Sequence, residues 1–190
     1  DATHGLLWRI VGGQKTATFA PLGKYLDVTA RSTTMAIRFR ATSRAGYSKY
    51  AIVGSDAANN HIAVMNNGSA TGALRAAVVQ SASVTVPHPL PAYTSGDVIT
   101  LVFRVRETGT ASDLNDVWSK VHGGSVSQLA QVVNNVGSSA REIKYTALGV
   151  TAGETIDVLD FAVWGRGLTD VEAAAVADDA RGTLGGGTVN

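Results

Sequence analysis

Residues Val163-Trp-Gly-Arg-Gly-Leu-Thr-Asp-Val-Glu-Ala-Ala-Ala-Val176 change their periodicity part-way through. Leading into them, Thr155-Ile-Asp-Val-Leu-Asp-Phe-Ala-Val-Trp164 alternates as a strand does, which would put Leu159, Phe161 and Val163 on one face. Beyond Gly167 the alternation stops. Thr169 followed by Glu172 is a capping box: the threonine hydroxyl can accept from the amide of Glu172 while the glutamate reaches back to the amide of Thr169. Asp170 and Glu172 suit the positive end of a helix dipole, and Gly182 can end the helix. Ala173, Ala174, Ala175 and Ala177 form helix readily and let it lie close against a sheet. The strand end, the Arg166-x-Leu168-Thr169 turn and the short helix are expected to pack as one unit.

Working outward, the rest of the chain reads as β. In Thr34-Met-Ala-Ile-Arg-Phe-Arg-Ala41, Met35, Ile37 and Phe39 share one face while Arg38 and Arg40 share the other. Asp97-Val-Ile-Thr-Leu-Val-Phe-Arg-Val-Arg106 repeats the arrangement, with Ile99, Leu101, Phe103 and Val105 inward and Thr100, Arg104 and Arg106 outward. Shorter strands are expected near 6–11, 25–29, 49–54, 61–66, 73–80, 115–121, 143–150 and 155–164. Asn66-Asn67-Gly68 signals a reversal, and Pro87-His-Pro-Leu-Pro91 reads as a connection because proline cannot donate to a ladder. This spacing favours an all-β fold, a two-sheet sandwich with one short C-terminal helix. Residues 1–181 are expected to form a single domain, and 182–190 a glycine-rich tail.

Composition narrows the function classes. The 190 residues are 45% hydrophobic and 16% charged, which suits a packed core. A formal charge of +1 argues against a partner held by phosphate neutralisation, so nucleic acid is set aside. Cysteine is absent, which removes disulfides and thiolate metal sites. No apolar run is long enough to cross a bilayer as a helix. Because the sequence opens on Asp1 rather than Met, a removed signal peptide, a propeptide or a few further residues are expected before it.

The sequence of strand, aromatic residue, x-Arg-x-Leu-Thr-x-x-Glu and short helix resembles the closing segment of laminin G-like and pentraxin-like domains, members of the concanavalin A-like lectin and glucanase jelly rolls. Thr34–Ala41 is similar to that group's early core strand. Tyr50–Gly54 with His61–Gly68 is similar to its central hairpin, and Gly96–Arg106 and Val117–Gly124 to later strands. The likeness covers roughly residues 30 to 181; Leu6–Thr29 does not share it. It implies a two-sheet antiparallel jelly-roll sandwich, a lectin-like or assembly role, and a calcium ion at a loop rim in some members.

The chemistry of hydrolysis is not evident. Members of the group that cleave glycans carry Glu-x-Asp-x-Glu along one strand, whereas the glutamates here stand at 107, 142, 154 and 172, outside any such run. Asp157 and Asp160 are three apart on a strand and so are expected on opposite faces. His4, His61, His88 and His122 are scattered, and no nucleophile elbow, zinc-protease motif or phosphate loop is present. Calcium is the metal to weigh, at Asp56, Asn59 and Asn60, although these residue types are also ordinary turn formers, and no cofactor is expected.

Sugars stack on aromatic faces beside hydrogen-bonding groups, which makes Tyr47, Tyr50, Tyr93 and His122 the glycan-binding candidates. Trp118 lies in a strand-like stretch and reads as core. Arg38, Arg40, Arg104 and Arg106 would form a basic strip for surface contact if their strands are neighbours; the plainer reading is a solvated outer face. The expectation is a non-enzymatic recognition or assembly module, extracellular or on a virion surface such as a phage tail or capsid decoration. Its partner would be a glycan or a neighbouring protein subunit, with a homo-oligomer or virion lattice built through the tail. The alternative is a secreted glycan-active hydrolase or lyase of the same superfamily.

Overall fold

The computed structural model describes residues 8–11, 18–19, 32–43, 47–54, 61–67, 74–80, 83–89, 93–107, 112–134, 145–148 and 155–178, with side chains described at 32–40, 50–51, 93–106, 115–129 and 155–178. Twelve strands and one helix are present among them: β1 (Trp8–Val11), β2 (Thr18–Phe19), β3 (Ser32–Ser43), β4 (Tyr47–Gly54), β5 (His61–Asn67), β6 (Leu74–Gln80), β7 (Ser83–Pro89), β8 (Val98–Glu107), β9 (Ser112–Val121), β10 (Ser127–Asn134), β11 (Tyr145–Leu148), β12 (Thr155–Trp164) and α1 (Asp170–Asp178). They form two six-stranded sheets, ordered β1-β12-β3-β8-β9-β10 and β2-β11-β4-β5-β6-β7. Every pairing is antiparallel.

The inward alternation of β3 and β8 is as the sequence implies. Met35, Ile37, Phe39, Leu101, Phe103 and Val105 are buried, joined by Val117, Ile156 and Val158 from the flanking strands. The Phe39 ring meets that of Tyr50 from the second sheet at 5.2 Å between centroids. Burial of such side chains contributes about 1.5–3 kcal/mol apiece.

Two expectations about strands are corrected. Residues 83–89 are a strand despite Pro87 and Pro89, and its place at the end of the second sheet explains why: an edge strand needs donors on one side only. In β12 the register against β3 shifts between Val158 and Asp160, making Leu159 the extra residue of a bulge. Phe161 and Val163 stand opposite Ile37 and Met35, and so share the inner face with Ile156 and Val158, which stand opposite Ala41 and Phe39. The same shift brings Asp157 opposite Arg40 and Asp160 opposite Arg38, so both aspartates lie on the outer face instead of on opposite ones.

That outer face is not solvated. Ala36, Val102 and Trp118, aligned across β3, β8 and β9, form a buried cluster with Leu168, Ala173 and Ala177 of the closing segment, and Trp164, Ala162 and Val176 pack against it. The capping box forms as the sequence implies: the amide of Glu172 donates to Thr169 Oγ1 at 3.2 Å and the amide of Thr169 to Glu172 Oε2 at 2.8 Å. Thr34 Oγ1 ties the turn to β3, donating to the carbonyl of Arg166 and accepting from the amide of Leu168, each at 3.0 Å. Among the described residues no helix is long and apolar enough to cross a membrane.

Candidate functional site

The cross-strand register sorts the outer face of the first sheet into rows. Thr34, Arg104 and Asp116 form one; Ala36, Val102 and Trp118 the next; Arg38, Thr100 and Lys120 the third. A fourth holds Arg40 and Val98, with the amide of His122 donating to the carbonyl of Val98 at 2.8 Å. The helix lies over the second row, and the rows on either side do different work.

The first row is a clamp. Arg104, only 2% exposed, donates to Asp116 Oδ2 from Nε at 2.9 Å and from Nη2 at 2.6 Å. It also donates to the carbonyl of Leu168 and, at 2.7 Å, to Asp170 Oδ1 in the first turn of α1. Its guanidinium lies 4.7 Å over the Trp118 ring, where the ring quadrupole attracts a cation. Arg106 completes the charge balance with bonds of 3.2 and 2.9 Å to Asp116 Oδ2. Gly167 sits against the arginine stems, where a Cβ would stand 3.4 Å from Arg106 Cγ and 3.6 Å from Arg104 Cδ. Outside the clamp, Arg166 grips Glu172 bidentately at 2.9 and 2.7 Å. That bond, with the Thr169 amide, lowers the Glu172 carboxyl to about 2, and the same pairing raises Arg166.

The third and fourth rows frame a cleft of about 200 Å³ lined by Arg38, Val98, Thr100, Lys120, His122, Gly123 and Ala177. Arg38 and Thr100 are 4% and 6% exposed and form its floor. Lys120, half-buried, and His122, exposed in the turn after β9, form its rim. The turn closes with the amide of Gly124 donating to the carbonyl of Val121 at 2.9 Å. Gly123 holds φ 84°, a conformation that favours glycine. Lys120 Nζ donates to Asp178 Oδ1, at the end of α1, at 2.5 Å. Among the described residues no carboxylate lines the cleft.

The sequence candidates divide accordingly. Of the four arginines, Arg38 and Arg104 are buried and Arg40 and Arg106 half-buried; they share one face, as the sequence implied, but it is a covered face. Tyr50 is fully buried against Phe39 and Tyr93 is 7% exposed. Tyr47 opens β4, and its side chain lies outside those described. Asp56, Asn59, Asn60 and the tail from 182 to 190 lie outside the described residues. Trp118 is core, as expected, at 1% exposed. Of the glycan candidates whose side chains are described, His122 lines the cleft and Tyr50 and Tyr93 do not. Lys120 and Thr100 were missed as site residues. Their signal was present in the sequence, since both fall on the outward parity of strands that carry Arg104 and Trp118 on that face.

No family model matches the chain, and no curated protein does. Among solved structures it is similar to a heptameric SAP-like pentraxin from Limulus polyphemus, with a TM-score of 0.55 and 15% identity over 88% of this chain and 79% of that one. It is similar to the CBM40 module of the Ruminococcus gnavus IT-sialidase bound to α2,3-sialyllactose, with a TM-score of 0.50 and 14% identity over 90% and 97%. A PL-14 alginate lyase from the marine Aplysia kurodai gives 0.52 and 8% over 83% and 82%. The chain also spans 32% of the length of larger neighbours that are glycoside hydrolases. At these identities the likeness is one of fold alone, and the neighbours include a CBM40 module and a pentraxin as well as enzymes.

Proposed function

We propose that the two sheets stack as a jelly-roll sandwich and that the chain is a non-catalytic recognition module for glycans, working outside the cell. The observation that carries this reading is the make-up of the cleft: a guanidinium, an ammonium, a hydroxyl and an imidazole converge beside apolar Val98 and Ala177, and among the described residues no carboxylate is on the walls. Small concave sites of this kind, partly apolar with a few fixed polar groups, hold ligands. Glycoside hydrolysis needs two carboxyl groups facing the scissile bond. Asp116, Asp170, Glu172 and Asp178 are each bonded to an arginine or lysine that holds the helix in place. The sialyllactose held by a neighbour of similar length supports a glycan as the ligand class.

A glycan array run beside size-exclusion chromatography tests the reading. Binding by a monomer is the expected result. Silence on the array with ring or lattice formation would replace it by an assembly role, on a virion or another extracellular structure. The likeness to an alginate lyase of comparable length favours one second reading, a secreted glycan-active enzyme. Turnover of a bound glycan, abolished by replacing a single carboxylate, would establish that reading instead.

A further inference from the structure

We infer that the ligand of the cleft is an acidic sugar, bound through its carboxylate, and that Asp178 is a built-in competitor for that carboxylate; this rests on the reading of the chain as a glycan-recognition module. Two cations, Arg38 and Lys120, stand in one cross-strand row with Thr100 between them, and His122 faces them across the rim. A cavity of about 200 Å³ is smaller than the roughly 300 Å³ at which drug-sized pockets begin, room for about one pyranose ring. Charge-assisted hydrogen bonds to carboxylate are about twice as strong as neutral ones, so a ring carrying that group gains most from these walls.

The surrounding charges explain why the site is selective without being strongly basic. From β12, Asp157 stands opposite Arg40 and Asp160 opposite Arg38; from α1, Asp178 bonds Lys120. Arg40, Arg38 and Lys120 are therefore each matched by a carboxylate that stands beside the cleft and outside its lining, so the formal charge around it is close to balanced. The three acids are not equivalent. Asp157 is 1% exposed and Asp160 is partly buried and accepts from the amide of Phe161 at 2.9 Å, whereas the Asp178 side chain is 65% exposed at the end of the helix. Asp178 is the carboxylate that can swing away, and a sugar carboxylate entering beside Ala177 takes its place on Lys120.

Titrations of the ¹⁵N-labelled chain with methyl β-D-glucuronide and methyl β-D-glucoside, which differ only at the carboxylate, and with 3′-sialyllactose and lactose, test this. The acidic member of at least one pair is expected to bind about tenfold tighter than its neutral partner. Lys120→Met should erase that preference, and His122→Ala, at an exposed position, should weaken it. Asp178→Asn should raise affinity for the acidic member several-fold and leave the neutral one unchanged. Thermal melts check that each variant keeps its fold. Equal affinity for acidic and neutral members, a preference that survives Lys120→Met, or weaker acidic binding in Asp178→Asn would overturn the inference. Neutral glycans bound on the array without preference for acid would overturn it and leave the recognition reading standing. Silence on the array and in all four titrations would overturn both.

Discussion

Arg104→Met is the substitution whose cost the structure sets most clearly. The arginine and Asp116 side chains are 3% and 5% exposed, so removing the guanidinium leaves a carboxylate in the interior. Breaking a buried pair by deleting one partner costs about 3–5 kcal/mol. The lower end applies here, because Arg106 keeps its own bonds to Asp116 Oδ2. The bond to Asp170, whose side chain is 67% exposed, adds little. Methionine keeps most of the stem over Trp118, which limits the packing loss. The expected cost is about 3 kcal/mol, a fall of roughly 6–12 °C in Tm for a chain of this size. Urea unfolding followed by tryptophan emission measures it, with Trp118 directly beneath the missing group. Replacing both partners, Arg104→Met with Asp116→Leu, removes the stranded charge and should recover much of the loss. A single-variant cost below about 1 kcal/mol, the range of exposed pairs, would refute the reasoning, as would a double variant less stable than the single one.

Three further outcomes are expected. Glu172 has its carboxyl lowered from 4.5 to about 2, by Arg166 first and then by the Thr169 amide, so its contribution to stability is whole above about pH 4.5 and is lost as pH falls through about 2. The Tm difference between wild type and Glu172→Gln should hold steady from pH 7 to 5 and shrink below pH 4.5; a difference that stays constant to pH 2 would contradict this. Ala173 is fully buried between helix and sheet, so Ala173→Leu should lower stability by about 1–3 kcal/mol through overpacking, read by urea unfolding. Asn115 is fully buried on the inner face, and among the described residues neither side-chain amide atom has a hydrogen-bond partner. Asn115→Leu should therefore stabilise the fold by about 1–3 kcal/mol, and a loss of stability would show that the amide is satisfied in solution.

The closing segment was legible because capping and strand alternation are local: Thr169 and Glu172 announce the helix, and their bonds form as the spacing requires. The long inner-face strands were legible for the same reason. What the helix covers was harder to read, although Ala36, Val102 and Trp118 already marked an apolar row on the face assigned to solvent. Their alignment becomes visible only once three strands are placed in register. Arg104 misled for a related reason, since an outward arginine looks solvated until Asp116 from the next strand and Asp170 from the helix are seen to converge on it. Periodicity alone does not reveal a bulge, so the faces of Asp157 and Asp160 were misassigned. Residues 83–89 read as a connection because Pro87 and Pro89 cannot donate to a ladder, and only the strand's place at the end of its sheet shows that no such donor is needed. The cleft was legible only in His122 and Arg38, because it is assembled from β3, β8, β9, the turn after β9 and the end of α1.

The location of the ligand is the central claim, and a chemical-shift map made with the strongest hit from a glycan array tests it most directly. The account predicts that the largest amide shifts fall on Lys120 to Gly124 and on Ala177 and Asp178, with smaller ones at Arg38 and Thr100. Shifts concentrated on β4 to β7 of the second sheet, with residues 120–124 and 177–178 unmoved, would contradict it.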